Sequence, residues 1–396
     1  MMQKLFVGID VSKDSFAAAA LDAEGIELFR ISCSMDAQGF AELLQLITAQ
    51  CKETKEVAVA MESTGCYHIN LFSHLSSQGI DTVIVNPLVI ANFAKLSLRK
   101  TKTDKKDALT IARFLLAHRD SISHLVVSQD IQDLRDIARE RESLCSMITA
   151  VKVDIKRVLR STFPELEAIA DIHTQVMLHF LQEFPSARLI KKAKPKVIAK
   201  VLQRCYVGGT LTYSADDIIQ AAQNSVATVS PAKEAILQGK IATLLHLLGR
   251  LKETTRLLTD LCESIMLEDL QIVTSIKGVN LKTGAPFLAE IGAVDKYASY
   301  KKLIAYAGLD PATRQSGKWV GKSKISKRGN RHLRRVIYLM TACVVRVNAF
   351  FKAYFLKRKA EGLPSQKALF ATAHKLMRVI FAMLSQRTYF TEKEVS

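Results

Sequence analysis

The sequence predicts an α/β domain at the N-terminal end, a long helical middle region and a mainly helical C-terminal domain. The chain begins with strand-like stretches that give way to alternating helical and strand patterns. Further along, two long stretches carry apolar residues at the three-and-four spacing of a helix. The length of 396 residues also exceeds what one hydrophobic core usually covers, so more than one domain is expected.

The charge balance is strongly basic. The chain has 56 Lys and Arg against 38 Asp and Glu, a formal net charge of +18 and a pI near 9.6. This balance indicates a polyanionic partner, with nucleic acid as the first candidate and an acidic membrane surface as the second. No apolar run reaches the roughly 18 residues of a membrane helix, and the N-terminus lacks a signal-peptide core. We therefore expect a cytosolic protein without a membrane partner.

Cysteines and histidines do not indicate a metal centre of their own. The seven cysteines are scattered without a C-x-x-C pair, which favours reduced thiols over disulfides or a zinc site. The nine histidines are equally dispersed and show no ligand spacing. Both residue types are therefore expected to be ordinary core or surface residues.

The first domain is predicted from the order of its elements. Three meandering strands are followed by helix, strand, helix, strand and helix, which is the order of a ribonuclease-H-like α/β domain with a mixed sheet covered on both faces. The predicted strands lie within 4–33, at 56–61 and at 82–85, and the predicted helices at about 36–51 and 67–78.

Two acidic residues open the last helix of this domain. Asp104 and Asp107 stand three residues apart before an apolar helical run, so both project from one face of its first turn. Lys102, Lys105 and Lys106 surround them and are candidates for nucleic-acid contact. Acids at a helix N-terminus are also common as plain caps, so this pattern alone leaves both interpretations open.

Asp10 and Glu62 supply the partners that favour a functional interpretation. Asp10 ends the first predicted strand and Glu62 ends the fourth, and these two strands are expected to be neighbours. Their carboxylates then meet Asp104 and Asp107 at the edge where open α/β sheets bind ligands. Four clustered carboxylates repel unless a cation is present, and two divalent ions about 3.5–4 Å apart would polarise a phosphodiester. Singly, Asp10 could be a surface turn residue and Glu62 a helix cap.

The middle region predicts two long amphipathic helices. One follows Ser128, and the other follows Ser230 and Pro231, a cap and a first-turn proline. Together they indicate an antiparallel coiled-coil arm or a dimerisation surface. A basic stretch between them, from Arg188 to Lys200, is either a phosphate contact or a solvated face.

The C-terminal region combines a helical hairpin with a basic segment. Residues 276–280 are typical of the turn in a helix-hairpin-helix element, although a tight turn without a ligand fits equally well. Ser316 and Gly317 lie in a positively charged loop, where a serine could contact a phosphate or simply form a turn. The candidate nucleic-acid contacts in this segment are Lys318, Lys322, Lys324, Lys327, Arg328, Arg331, Arg334 and Arg335.

The ordered motifs resemble a known family. VGIDVSKDSF, AMESTG, KTDKKDALTIARF, IKGV, FLAEIG, YAGLDP, QSGKW and ISKRGNRHLRR are similar, in order and spacing, to the DEDD-type transposases of the insertion-sequence family numbered one hundred and ten. That family is related to the pilin-inverting DNA recombinases. The resemblance covers about residues 4–119 and 270–384, whereas the middle is similar only as a coiled coil.

The resemblance implies a mechanism and partners. It implies a RuvC-like catalytic domain at 1–122, a helical coiled-coil region at 123–269 and a transposase domain at 270–396. Asp10, Glu62, Asp104 and Asp107 would then bind Mg²⁺ or Mn²⁺, and Ser316 would attack DNA to form a covalent 5′-phosphoserine link. The implied partners are donor and target DNA, a noncoding bridge RNA and further copies of the chain, as a dimer to tetramer, in a bacterial or archaeal cytosol.

Two other functions stay open at the level of sequence. A hydrolytic nuclease of the Holliday-junction type would use the same acids without Ser316 and without a covalent intermediate. A non-catalytic nucleic-acid scaffold would use only the positive charge. An ATPase of the actin-like type is disfavoured because the only phosphate-loop-like sequence is the weak Ser63-Thr64-Gly65.

Overall fold

A computed structural model describes residues 4–62, 67–85, 87–94, 104–118, 128–206, 212–312, 315–316, 319–320 and 324–391. It gives only the backbone at residues 87, 88, 92, 104–106, 311, 312, 315, 316, 319, 320 and 324.

Strands in the described residues belong to one mixed sheet and to two short ladders. The strands are β1 (Leu5–Val11), β2 (Ser15–Asp22), β3 (Glu27–Ser34), β4 (Val57–Glu62), β5 (Asp81–Val85), β6 (Pro311–Ala312), β7 (Gln315–Ser316), β8 (Trp319–Val320) and β9 (Lys324–Ile325). The sheet has the order β3-β2-β1-β4-β5, in which β1 runs antiparallel to β2 and parallel to β4. The prediction that the first and fourth strands are neighbours in the sheet is therefore confirmed.

Most of the described residues are helical. The helices of the N-terminal part are α1 (Ala37–Gln50), α2 (His68–Ser77), α3 (Pro87–Ala94) and α4 (Asp104–Ala117). The middle part contains α5 (Gln129–Thr162), α6 (Leu166–Ile169), α7 (Gln175–Glu183), α8 (Ala187–Lys192), α9 (Pro195–Cys205), α10 (Ala215–Gln223) and α11 (Pro231–Thr274). The C-terminal part contains α12 (Leu281–Ile291), α13 (Tyr300–Tyr306), α14 (Arg331–Val347), α15 (Ala349–Ala360) and α16 (Ser365–Gln386).

The two faces of β1 pack against different helices, because its side chains alternate between the faces. Val7 and Ile9 join one hydrophobic cluster with residues of α1 and α2, whereas Phe6 joins another with residues of α4. Because successive side chains of a strand point to opposite faces, Gly8 and Asp10 share the α4 face with Phe6. The sheet is therefore covered on both sides, as the sequence predicts.

The chain divides into two compact units. One unit contains residues 1–135 and 262–396, and the other contains residues 136–261. The second unit falls inside the region predicted as helical and coiled coil. The domain boundaries and the coiled-coil packing stay predictions.

Within the second unit, α5 and α11 run antiparallel. Lys240 pairs with Asp154 at 2.5 Å, while the Arg141 Nε atom donates to the Thr255 Oγ1 atom at 3.0 Å. Pairs whose two numbers change in opposite directions along the chain require antiparallel helices. The apolar stripe of α5 is interrupted at Arg141, and the bond to Thr255 supplies the polar partner at that level. Helices α6 to α10 share a hydrophobic core with the C-terminal half of α5 and the N-terminal half of α11.

The long apolar helix α16 is explained by burial in the first unit. By length and composition alone it could cross a membrane, and the bent pair α14 and α15 passes the same test together. Leu376, Met377 and Ile380 of α16 are fully buried, however, and the helix packs against α13, α14 and α15. Its apolar residues therefore form part of the protein core.

Candidate active site

Asp10 and Glu62 lie side by side at one edge of the sheet. In the parallel pairing of β1 with β4, Ile9 stands opposite Met61, and the next position along the same register puts Asp10 beside Glu62. Neighbouring strands are about 4.8 Å apart, so the two backbones hold these carboxylates close together. Glu62 shares its face with Ala58 and Ala60, which pack in the cluster that contains α4 residues. Both acids are half-buried.

Helix α4 lies directly on β1 because β1 has a glycine at the crossing point. A Cβ atom on Gly8 would lie 2.2 Å from the Ala108 carbonyl oxygen and 2.2 Å from the Ala112 amide nitrogen. The far end of α4 contacts the opposite end of the sheet, since Leu116 lies beside the turn at Gly25. The N-terminus of α4 therefore points towards the edge that carries Asp10 and Glu62.

Asp104 and Asp107 are carried at this end of α4. Asp107 is half-buried and directly precedes Ala108, which packs over Gly8. The side chain of Asp104 lies outside the described residues. Among the side chains that are described, no three His, Cys, Asp or Glu form a ready ligand group. The donor chemistry nevertheless fits a hard cation, because Mg²⁺ and Mn²⁺ prefer carboxylate oxygens.

Ser316 lies at the end of a short β-hairpin. Its backbone pairs with Trp319 in the ladder of β7 and β8, so only residues 317 and 318 connect the two strands. A two-residue connection is the shortest common link between two hairpin strands. The Ser316 side chain and both connecting residues lie outside the described part of the chain.

The chain segments before and after this hairpin are held to each other by backbone and side-chain bonds. Pro311 pairs with Ile325, the Ser326 amide donates to the Asp310 carbonyl at 2.8 Å, and the Ser326 hydroxyl donates to the Asp310 carboxylate at 2.5 Å. Two glycines let the two chain segments cross closely. A Cβ atom on Gly329 would lie 2.7 Å from the amide nitrogen of Gly308. The segments 310–312 and 324–326, which we call the stem, are thus tied together on either side of the hairpin in sequence.

A buried polar cluster supports the same stem, and the sequence did not reveal it. Glu290 is 1% exposed inside the apolar helix α12 and accepts a hydrogen bond from the Asn330 side-chain amide at 2.6 Å. The Asn330 side-chain carbonyl oxygen caps α14 by accepting from the backbone amides of His332 and Leu333. The Asn330 backbone amide donates to the Tyr306 carbonyl at 2.8 Å. One residue, through its side chain and its backbone, therefore connects α12, α13 and α14.

Two further groups beside Glu290 have shifted protonation equilibria. Burial and, to a smaller extent, the nearby positive charge of Arg135 together lower the pKa of Lys296 to about 8. Glu290 opposes this shift. Burial also raises the pKa of Tyr297, whose hydroxyl donates to the Ile291 carbonyl at 3.1 Å. The only sequence signal for the cluster is an acid within the otherwise apolar stretch FLAEIG.

The predicted nucleic-acid contacts fall into three groups. Lys327, Arg328, Arg331 and Arg335 have exposed side chains. Arg334 is half-buried, and its Nη1 atom donates to the Ala307 carbonyl at 2.9 Å, so part of its guanidinium holds the stem. Those whose side chains lie outside the described residues are Lys102, Lys105, Lys106, Lys318, Lys322 and Lys324.

The predicted helical hairpin is a packed turn between α11 and α12. Gly278 has a φ of +103°, a conformation that favours glycine, and a Cβ atom there would lie 2.8 Å from the Val344 Cα atom of α14. Asn280 caps α12 in a capping box with Thr283. Lys277 and Asn280 are exposed. The close packing of Gly278 gives this turn a structural role whether or not it contacts phosphate.

Family comparisons cover both ends of the chain. The model of a transposase family, the DEDD type of IS110, matches residues 7–164 of this chain. A second, described as the IS116/IS110/IS902 family of transposases, matches residues 270–356. The first match contains the four predicted acids, and the second contains Ser316, Glu290 and Asn330.

Individual relatives match along nearly the whole chain. A 44.8 kDa protein of the insertion element IS116 from Streptomyces clavuligerus is 27% identical over 391 residues, covering 98% of this chain and 96% of that protein. The pilin gene-inverting protein of Moraxella bovis is 23% identical over 395 residues, covering 99% of each. The transposase of insertion sequence IS1111A from Coxiella burnetii is 24% identical, covering 97% of this chain and 90% of that protein.

Proposed function

Because this chain belongs to the IS110 family of insertion-sequence transposases and recombinases, we propose that it cuts and rejoins DNA with a carboxylate tetrad and a serine nucleophile. The tetrad is Asp10, Glu62, Asp104 and Asp107, and the nucleophile is Ser316. The observation that carries the proposal is the parallel pairing of β1 with β4. It sets Asp10 beside Glu62 on the face towards which the N-terminus of α4 is directed.

The four carboxylates provide negatively charged oxygen ligands for a cation at one edge of the sheet. Four such groups in a half-buried site repel one another, and a divalent cation relieves that repulsion. When bound, Mg²⁺ or Mn²⁺ supplies charge stabilisation to the phosphate that is being cut. The protein's own contribution is to fix the ligands through two paired strands and one closely packed helix, which keeps them in place during the reaction.

Ser316 acts as the attacking group. Its hydroxyl oxygen forms a bond to phosphorus while the bond from phosphorus to the 3′ oxygen breaks; the hydroxyl loses its proton and the departing 3′ oxygen gains one. The 5′ end stays attached to the serine, so the phosphodiester energy is kept for rejoining. A serine at the end of a tight hairpin, held by a bonded stem, can enter a DNA groove with little loss of conformational entropy.

The proposal extends to the partners of the reaction. The pilin gene-inverting relatives support recombination between two DNA sites. The family resemblance supports a noncoding bridge RNA that pairs with donor and target DNA, and an assembly of two to four copies of the chain in a bacterial or archaeal cytosol. The net charge of +18 supports binding to several phosphate backbones at once.

The test is a search for a covalent protein–DNA adduct. The full chain is mixed with Mg²⁺, DNA that spans the ends flanking its gene, and RNA transcribed from the adjacent noncoding region. Denaturing electrophoresis then detects the adduct. We expect the adduct with the parent protein and expect no adduct with the Ser316→Ala and Asp10→Asn variants. The matched control Ser385→Ala changes an exposed serine of α16 and should keep the adduct.

Other outcomes would identify other functions. Free 3′-hydroxyl and 5′-phosphate ends without an adduct would replace the proposal with a hydrolytic junction nuclease. An adduct that survives Ser316→Ala would remove the serine from its role. Binding without any metal-dependent cleavage would leave a nucleic-acid scaffold.

A further inference from the structure

The last three helices hold a large share of the positive charge. Between residues 331 and 391 the only acidic residue is Glu361. The basic residues of this segment are Arg331, Arg334, Arg335, Arg346, Lys352, Lys357, Arg358, Lys359, Lys367, Lys375, Arg378 and Arg387. Such an excess of positive charge in this segment favours a polyanionic partner.

One lysine of this segment is held in place by aromatic rings. The Lys375 Nζ atom of α16 lies 3.7 Å from the centre of the Phe350 ring and 4.5 Å from the centre of the Tyr354 ring of α15. Phe350 in turn packs against Phe351, which is fully buried. A cation over an aromatic face is attracted to it, so this ammonium has a fixed position rather than the freedom of a surface lysine.

Other cations lie near Lys375. Burial lowers the pKa of Lys375, and the positive charges of Arg378 and Lys357, both exposed, lower it as well. Glu361 does not offset these charges, because it pairs with the Arg358 Nη1 atom at 2.6 Å. Like charges held close together are unfavourable unless an anion binds between them.

We propose that Lys357, Lys375 and Arg378 form a binding site for the phosphodiester backbone of nucleic acid. The site lies on α15 and α16, outside the stretch of sequence around Ser316. A cation held in place, as Lys375 is, suits a phosphate backbone because it binds with little ordering cost, and such contacts position a nucleic acid without specifying its sequence. Both DNA and RNA carry this chemistry, and the measurement below distinguishes them.

The test is the salt dependence of binding by the full chain in EDTA, where no cleavage takes place. Fluorescence anisotropy gives the affinity for a random-sequence DNA duplex and for a single-stranded RNA of equal length at increasing KCl. Each neutralised duplex phosphate contributes about 0.9 to the slope of log K against log salt, and each single-strand phosphate about 0.7. The double variant Lys357→Gln/Arg378→Gln should therefore lower the slope by about 1.4–1.8.

A second variant and a matched control complete the design. Lys375→Met keeps an apolar chain between the two rings but removes the charge, and should lower the slope by a further 0.7–0.9 or so. The control Lys52→Gln/Lys55→Gln removes the same charge from exposed residues before β4 and should leave the slope unchanged. A loss confined to DNA or to RNA supports the site and identifies its partner.

Two results would overturn the proposal. One is a slope that stays the same for both nucleic acids in all variants of the α15 and α16 site. The other is an equal decrease in the control, which would mean that only the total charge matters. Adduct formation at Ser316 is measured separately. If the α15 and α16 site does not bind nucleic acid, the proposed chemistry at Ser316 still stands. If no adduct forms at Ser316, the proposed binding site still stands.

Discussion

The substitution Gly8→Ala tests the contact that directs α4 towards the acidic edge of the sheet. The new methyl group would lie 2.2 Å from two backbone atoms of α4, the Ala108 oxygen and the Ala112 nitrogen. Ordinary Cβ contacts begin at 3.4 Å, so α4 must move away by about 1 Å or more. Neither contact is the end of a flexible side chain, so no rotamer change can relieve it.

The expected cost can be worked out from two opposing effects. Alanine in place of glycine within a strand would by itself stabilise the fold by about 0.5–1 kcal/mol. Overpacking of a well-filled core costs about 1–3 kcal/mol and more when only backbone can yield. We therefore expect Gly8→Ala to lower the free energy of unfolding by about 1–2 kcal/mol. A shift of about 1 Å in catalytic groups also costs on the order of 100-fold in rate.

Denaturant unfolding and adduct formation measure these two effects. The matched control is Gly249→Ala in α11, where a Cβ atom meets nothing within 4 Å. That variant should be more stable than the parent by about 0.5–1 kcal/mol, because alanine favours a helix interior. If Gly8→Ala were as stable and as active as the parent protein, the close packing of α4 on β1 would be refuted.

Three further predictions concern buried polar and thiol groups. Asn330→Ala removes the cap of α14 and a donor to buried Glu290, and should destabilise the protein by about 2 kcal/mol in denaturant unfolding; unchanged stability would contradict the cluster. Because the pKa of Lys296 is lowered to about 8 from 10.5, the unfolded chain binds a proton that the folded chain has lost between those values. The parent should therefore gain stability relative to Lys296→Met as pH rises from about 8 towards 10.5, and a constant difference would argue against burial of this ammonium. Burial raises the pKa of the Cys262 thiol to about 12, so iodoacetamide should label half-buried Cys145 before Cys262, as mass spectrometry would show; equal labelling would contradict that burial.

Local patterns were sufficient to predict most of the first domain. A short apolar run predicted β1, and the turn that ends at Gly25 predicted the hairpin of β2 and β3, because both signals lie in the local sequence. The N-terminal caps of the two long helices could also be predicted from the local sequence. The Ile131 amide donates to the Ser128 hydroxyl at 3.4 Å, and the Lys233 amide donates to that of Ser230 at 3.3 Å, so both long helices begin where the sequence indicates.

Features set by distant contacts could not be predicted in the same way. Nothing in the local sequence marks the kink of α11 at Met266, where φ is −136° and ψ is 41°. Just beyond it, Asp269 pairs with Arg387 at the end of α16, a contact between residues far apart in sequence. Glu290 likewise has the spacing of an ordinary core position in α12, and only the fold brings Asn330 to it. The roles of the four acids and of Ser316 stay predictions, since the side chains of Asp104 and Ser316 lie outside the described residues.

The central claim is that Asp10, Glu62, Asp104 and Asp107 bind divalent metal together. Anomalous diffraction from crystals soaked in Mn²⁺ measures this directly, because the ion is located by its own scattering. We predict a peak at the carboxyl end of β1 and β4 at about 2.0–2.2 Å from oxygens of Asp10, Glu62 and the α4 carboxylates, and its loss in Asp10→Asn. Manganese bound elsewhere, with no peak at this edge in the parent protein, would contradict the account.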